Sequence, residues 1–141
     1  IPSNRLVTLF LGELCLATGE VEYVNAGHNP PLLIRTGGSI ETLEPTGMAL
    51  GVLSETTFET GRTKLGPGDR ILLYTDGVTE AENSGDQEYG EARLRGFLDE
   101  HRAVSDAALV DGILGNVLLH CGSVRPRDDM TLMALSRPSL A

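Results

Sequence analysis

Two carboxylate positions carry the chemistry open to this chain. Asp76 ends Ile71-Leu72-Leu73-Tyr74, the most apolar strand-like run, and Asp128-Asp129 opens another, Met130 to Leu135. A carboxylate at the mouth of a buried strand is costly unless something compensates it. Hard divalent cations such as Mg²⁺ and Mn²⁺ take carboxylate oxygens and waters, and supply that compensation. If the two strands are neighbours, their ends bring Asp76 and Asp128 close together. Like charges at that range are tolerable only with metal between them or a raised pKa. Gly77 lets the backbone turn sharply and leaves room for ligand waters. On spacing alone the alternative is a plain Asp-Gly turn and a solvated strand start, since Asp-Gly is a common turn dipeptide.

The elements that must position these residues fall into two parts. The first two thirds read as strands. Leu6 to Ala17 and Val21 to Asn25 form a hairpin around Thr18-Gly19, and Leu32 to Arg35 and Ile40 to Leu43 flank the Thr36-Gly37-Gly38-Ser39 turn. Gly27-His28-Asn29-Pro30-Pro31 is a turn, because its prolines lack ladder donors. Glu44 to Ser54 reads as an irregular loop, Thr56 to Leu65 as a strand, and Ile71 to Tyr74 as a strand covered on both faces. The last third turns helical. One helix starts at Gly90. A second is capped by Ser105 and closed by Gly122, with Val110, Ile113, Leu114, Val117, Leu118 and Cys121 as its apolar face. Gly112 and Gly115 each cost that helix about 1 kcal/mol relative to Ala. Strands, then helices, then a closing strand indicate one α+β layered domain.

The 141 residues hold 11 basic and 20 acidic side chains, for a net charge of −9. That balance argues against nucleic acid and against an anionic membrane surface as partners. No apolar run approaches the ~18 residues of a membrane span. Cys15 and Cys121 read as small buried hydrophobes of a reducing, cytoplasmic compartment, and no C-x-x-C offers a thiolate metal site. The chain lacks an initiator Met and begins almost at once in a strand-like run, which suggests a piece of a longer protein.

One ordered series runs through almost the whole chain. It comprises Thr8-Leu9-Phe10, Thr18-Gly19-Glu20, Tyr23-Val24-Asn25-Ala26-Gly27-His28-Asn29-Pro30-Pro31, Thr46-Gly47 and Leu50-Gly51. It continues with Pro67-Gly68-Asp69, Leu72 to Glu80, Tyr89-Gly90 and Asp128-Asp129-Met130-Thr131. The series resembles the metal-dependent protein phosphatase family, in the bacterial branch named after stage II sporulation protein E and its stress-response relatives.

The resemblance implies a β-sandwich flanked by helices, like that of phosphatase 2C, and two Mn²⁺ or Mg²⁺ ions at one end. It implies hydrolysis of phosphoserine or phosphothreonine on a regulatory protein such as an anti-sigma-factor antagonist. Asp76 and Asp128 match the family's metal ligands, with Gly77 beside the first and Asp129 a second, weaker candidate. Its upstream Gly-Asp-x-x-Gly-His-Gly segment, with the bridging aspartate, is absent, so the resemblance covers the C-terminal part of the domain and the fragment alone is expected to be inactive. A catalytically inactive domain of the same fold that binds a switch protein is the competing reading.

Four further sets of residues carry alternatives. His28 either faces the metal cleft as proton donor or phosphate contact, or joins Asn25 in holding its turn by hydrogen bonds. The second is favoured, because turn residues commonly bond their own backbone. The broader family can place a metal-holding carboxylate near this position, and a histidine departs from that. Arg125 and Arg127 either attract a phosphorylated partner or soften the local negative field. Glu80 and Glu82 read as solvated, and His101 and His120 as structural or solvated. The exposed faces of the two helices are plausible dimer surfaces.

Overall fold

A computed structural model describes residues 5–53 and 55–139. Two antiparallel sheets and a helical layer stack on one another. The first sheet has the order β1-β2-β5, from Leu9–Leu14, Glu20–Ala26 and Gly61–Lys64. The second has the order β4-β3-β6-β7, from Ile40–Thr42, Leu32–Ile34, Arg70–Tyr74 and Leu132–Ser136. Three helices follow β6: α1 (Asp76–Thr79), α2 (Gly90–Glu100) and α3 (Asp106–Cys121).

Alternation along the strands divides the core in two. Leu33 and Ile71 point at the first sheet and pack with Val21, Tyr23 and Leu65. Their neighbours Leu32, Leu72 and Tyr74 point the other way, onto Val78, Leu94, Leu98, Ile113 and Val117 from the helices. Both faces of β6 are therefore covered, which accounts for its continuous apolar run.

Several expectations need correction. The strand expected over 56–65 begins only at Gly61, where a Cβ would stand 2.3 Å from the Tyr23 ring. Tyr23 lies across the strand at that point, and only glycine leaves it room. The closing strand starts at Leu132 rather than Met130, because Thr131 is spent on Thr75. Asp76-Gly77 opens a turn of helix instead of a simple turn. On α3 the buried line is Leu109, Ile113, Val117 and Cys121, while Leu114 and Leu118 are exposed. Cys15 is exposed on the β1–β2 connection and only Cys121 is buried. The Ser105 cap is as expected: its side chain accepts the Ala108 N–H at 3.2 Å. Gly112 lets Phe97 approach to 2.9 Å of where a Cβ would be, whereas nothing in the structure explains Gly115. Among the described residues no helix is long and apolar enough to cross a membrane.

Candidate functional site

β6 and β7 are neighbours, antiparallel, with Tyr74 opposite Leu132. The end of one therefore meets the beginning of the other, which brings the Asp76 and Asp128 segments together. Thr75 fastens them. Its N–H donates to the Thr131 carbonyl at 3.1 Å, its hydroxyl accepts the Thr131 N–H at 3.0 Å and donates to the Asp129 carbonyl at 3.3 Å. With its hydroxyl so engaged, Thr75 makes no side-chain cap to α1 although it holds the N-cap position. Sequence reasoning passed over Thr75; a hydroxyl directly before Asp76 was the available signal.

Gly77 sets the distance of closest approach. A Cβ there would lie 2.4 Å from the Asp129 carbonyl oxygen and 3.5 Å from the Asp128 carbonyl carbon. The glycine is thus a cradle into which the backbone of 128–129 fits. Asp76 and Asp128 repeat one local arrangement: each carboxylate accepts the N–H of the following residue, at 2.9 Å from Gly77 and 2.8 Å from Asp129. Both carboxylates are exposed, so the burial cost expected for them is absent. Asp129 is exposed too and contributes its backbone carbonyl to Thr75.

A cavity of about 380 Å³ opens beside this junction, walled by Gly77, Glu80, Glu82, Glu88, Arg125, Arg127 and Asp128. Glu82 and Arg127 pair across it at 3.2 Å. Glu82 is accordingly part of the wall, where a solvated carboxylate was expected. Arg125 makes no ion pair among the described residues.

His28 belongs to the connection from β2 to β3. β3 starts where β6 ends, with Leu32 opposite Leu72, so His28 sits at the Asp76 end of the second sheet. Its backbone N–H donates to Asn25 Oδ1 at 2.9 Å, so Asn25 holds the turn as expected. The ring of His28 makes no hydrogen bond among the described residues. His101 stacks on Phe97, and His120 bonds the Gln87 carbonyl at 2.8 Å; both are structural.

The donor chemistry fits a hard divalent cation in part. Two solvent-facing carboxylates on one rigid junction suit Mn²⁺ or Mg²⁺, which prefer oxygen ligands. Among the described residues no group of three or more His, Cys, Asp or Glu side chains converges to hold an ion. These residues therefore supply some of the ligands such a centre needs.

The stacked sheets and helical layer have the fold of the metal-dependent, PP2C-type phosphatase domains. A solved structure of the PP2C domain of SpoIIE from Bacillus subtilis superposes with a TM-score of 0.77 at 18% identity, over 95% of this chain and 39% of that one. The family model for stage II sporulation protein E (SpoIIE) matches residues 1–138, and the chain belongs to that family. It is 32% identical to Protein IcfG of Synechocystis over 130 residues, 92% of this chain and 20% of IcfG. It is 27% identical to the phosphoserine phosphatase RsbU of Bacillus subtilis over 139 residues, 97% of this chain and 41% of RsbU. The chain thus spans less than half the length of either relative.

Proposed function

We propose that the chain is the C-terminal, ligand-bearing part of a protein serine/threonine phosphatase domain dependent on Mn²⁺ or Mg²⁺. Its substrate on this reading is a phosphorylated regulatory protein of the anti-sigma-factor-antagonist kind. The observation that carries the reading is the Asp76–Asp128 junction, held at backbone contact by Gly77. Family membership and the phosphoserine phosphatase RsbU among the relatives support it.

Asp76 and Asp128 would hold the metal, and further ligands would be needed to complete the centre. Bound there, such ions would supply a water of lowered pKa that loses its proton to become the nucleophile, and would neutralise charge on the phosphoryl oxygens. Thr75 and Gly77 keep the two carboxylates in register. Arg127, oriented by Glu82, contacts the phosphoryl group of the incoming protein, where its guanidinium suits phosphate oxygens. His28 stands at the same end and donates a proton to the leaving serine.

The test is phosphate release from a phosphoserine protein by the upstream-extended chain, with Mn²⁺ and then with chelator. Metal-dependent release that is abolished by Asp76→Asn and by Asp128→Asn is the expected result. No release from a folded, extended chain would favour the non-catalytic binder of a switch protein.

A further inference from the structure

A second cavity lies at the other end of the second sheet. β6 runs from Arg70 to Tyr74, so its two ends stand about 13 Å apart at ~3.3 Å per residue. Asp76 follows the Tyr74 end; the cavity opens at the Arg70 end, where β3 and β7 finish. Its volume is about 420 Å³, within the roughly 300–1,000 Å³ of small-molecule sites.

The walls are unusual for a chain of net charge −9. Arg35, Arg70, Arg102 and Arg137 line the cavity, four of only 11 basic residues. Ser139 adds a hydroxyl, while those of Thr36 and Ser136 are spent on Asp69 and Asp106, and no acidic residue is among the lining residues. The carboxylates that balance these arginines stand behind them. Asp69 and Glu41 pair with Arg35, each at 2.8–2.9 Å. Asp106 pairs with Arg70 at 2.6 Å, and Asp99 pairs with Arg102.

Backbone carbonyls fix the guanidinium groups further. Arg70 donates to Val104 at 2.7 Å, Arg102 to Gly38 at 2.6 Å, and Arg137 to Thr18 and Leu65 at 2.9 and 3.0 Å. Arg35 spends its donors on Glu41, Asp69, Lys64 and Thr63, and offers the cavity only its stem. Arg70 Nη1, Arg102 Nε and Arg137 Nε make no hydrogen bond among the described residues. Arginines held from behind lose little side-chain entropy when they bind, which favours an anion over water.

We propose that this cavity is a second ligand site, separate from the Asp76–Asp128 junction, that takes a small oxyanion of phosphate type through Arg70, Arg102 and Arg137. The ligand is either free inorganic phosphate or the phosphate group of a small monoester.

The test uses the full chain, isotope-labelled, in chelator so that the carboxylate end stays metal-free. Inorganic phosphate, phosphoserine, adenosine monophosphate and adenosine are titrated separately, following amide shifts and heat. Saturable shifts centred on Thr36, Gly68 and Ser139 are expected with phosphate or a monoester and not with adenosine. Tighter binding of phosphate identifies the free ion, and tighter binding of a monoester identifies a phosphorylated small molecule. Arg102→Ala, whose side chain is partly exposed, is expected to weaken binding about tenfold or more in the folded chain. If that variant fails to fold, the wild-type shift map decides alone. Shifts centred on Gly77 and Asp128, no saturable binding, equal binding of adenosine, or full affinity in folded Arg102→Ala would each overturn the assignment.

Discussion

A Cβ on Gly77 would stand 2.4 Å from the carbonyl oxygen of Asp129, so the start of α1 and the lead into β7 touch backbone to backbone. Two effects of Gly77→Ala oppose each other. Alanine favours helix by about 1 kcal/mol. Against that, the obstacle is fixed backbone rather than a side-chain end, and overpacking of that kind costs about 1–3 kcal/mol. Gly77→Ala is therefore expected to lower stability in a urea titration and to remove metal-dependent phosphatase activity from the extended chain. A more stable variant with intact activity would show that the contact can relax without moving either aspartate.

The two ends of this contact were legible in the sequence for different reasons. Asp76 and Asp128-Asp129 stand out because carboxylates flank apolar runs, and β6 and β7 are neighbours, which brings the two segments side by side. Thr75 did not stand out, since a threonine at a strand end has no composition of its own. The apolar face of α3 misled for a physical reason. That helix is apolar nearly all round, so Leu114 and Leu118 fit the helical period as well as Leu109 does. Only the position of the second sheet decides which line is buried. Cys15 misled likewise: its neighbours are apolar, but they lie on β1, at the edge of the first sheet. The second cavity was illegible because its four arginines are scattered from residue 35 to residue 137 and meet only when β3, β6 and β7 align.

Asp69 makes the stability of the fold depend on acid. Burial alone would push its carboxyl up, but the N–H groups of Thr36 and Gly66 and the Arg35 guanidinium together hold it below the usual aspartate range. A group depressed in the folded state stabilises fully above its unfolded pKa. That contribution is lost as pH falls through the lower, folded value. Urea midpoints are therefore expected to fall below about pH 4, near the unfolded aspartate pKa. Asp69→Asn should lower the midpoint at neutral pH and flatten this acid limb. An acid limb identical in the variant would assign the dependence to other carboxylates.

Cys15 is expected to be the reactive thiol. Polar contacts with the Thr18 side chain, whose hydroxyl donates to Glu20 at 3.0 Å, and with the Thr18 and Ala17 backbone hold its pKa below the ordinary thiol value, and the side chain is exposed. Cys121 is buried at 2% exposure and should not react in the folded chain. Alkylation by iodoacetamide should modify one thiol, with a pH midpoint that rises in Thr18→Val. A midpoint unmoved by that substitution would show that the hydroxyl does not set the thiol's acidity.

Asn25 and His28 divide the work of their turn unequally. Asn25 is fully buried. Its side chain accepts the His28 N–H at 2.9 Å, while its backbone accepts the Thr46 and Gly47 N–H groups at 2.9 and 3.2 Å and donates to the Thr46 hydroxyl at 2.9 Å. It therefore ties the turn to the loop after β4 at the Asp76 end of the molecule. Asn25→Ala leaves the His28 N–H without its acceptor, a loss of about 1–3 kcal/mol for a buried polar group. His28 uses only its backbone in this arrangement, so His28→Ala should change stability by less than about 0.5 kcal/mol. That separation makes the histidine testable as a proton donor. In the extended chain His28→Ala should lower kcat toward phosphoserine protein while leaving the melting temperature in place. The loss should shrink for p-nitrophenyl phosphate, whose leaving group needs no proton. An equal loss on both substrates would remove His28 from the proton path, and unchanged kcat would leave it with the turn alone.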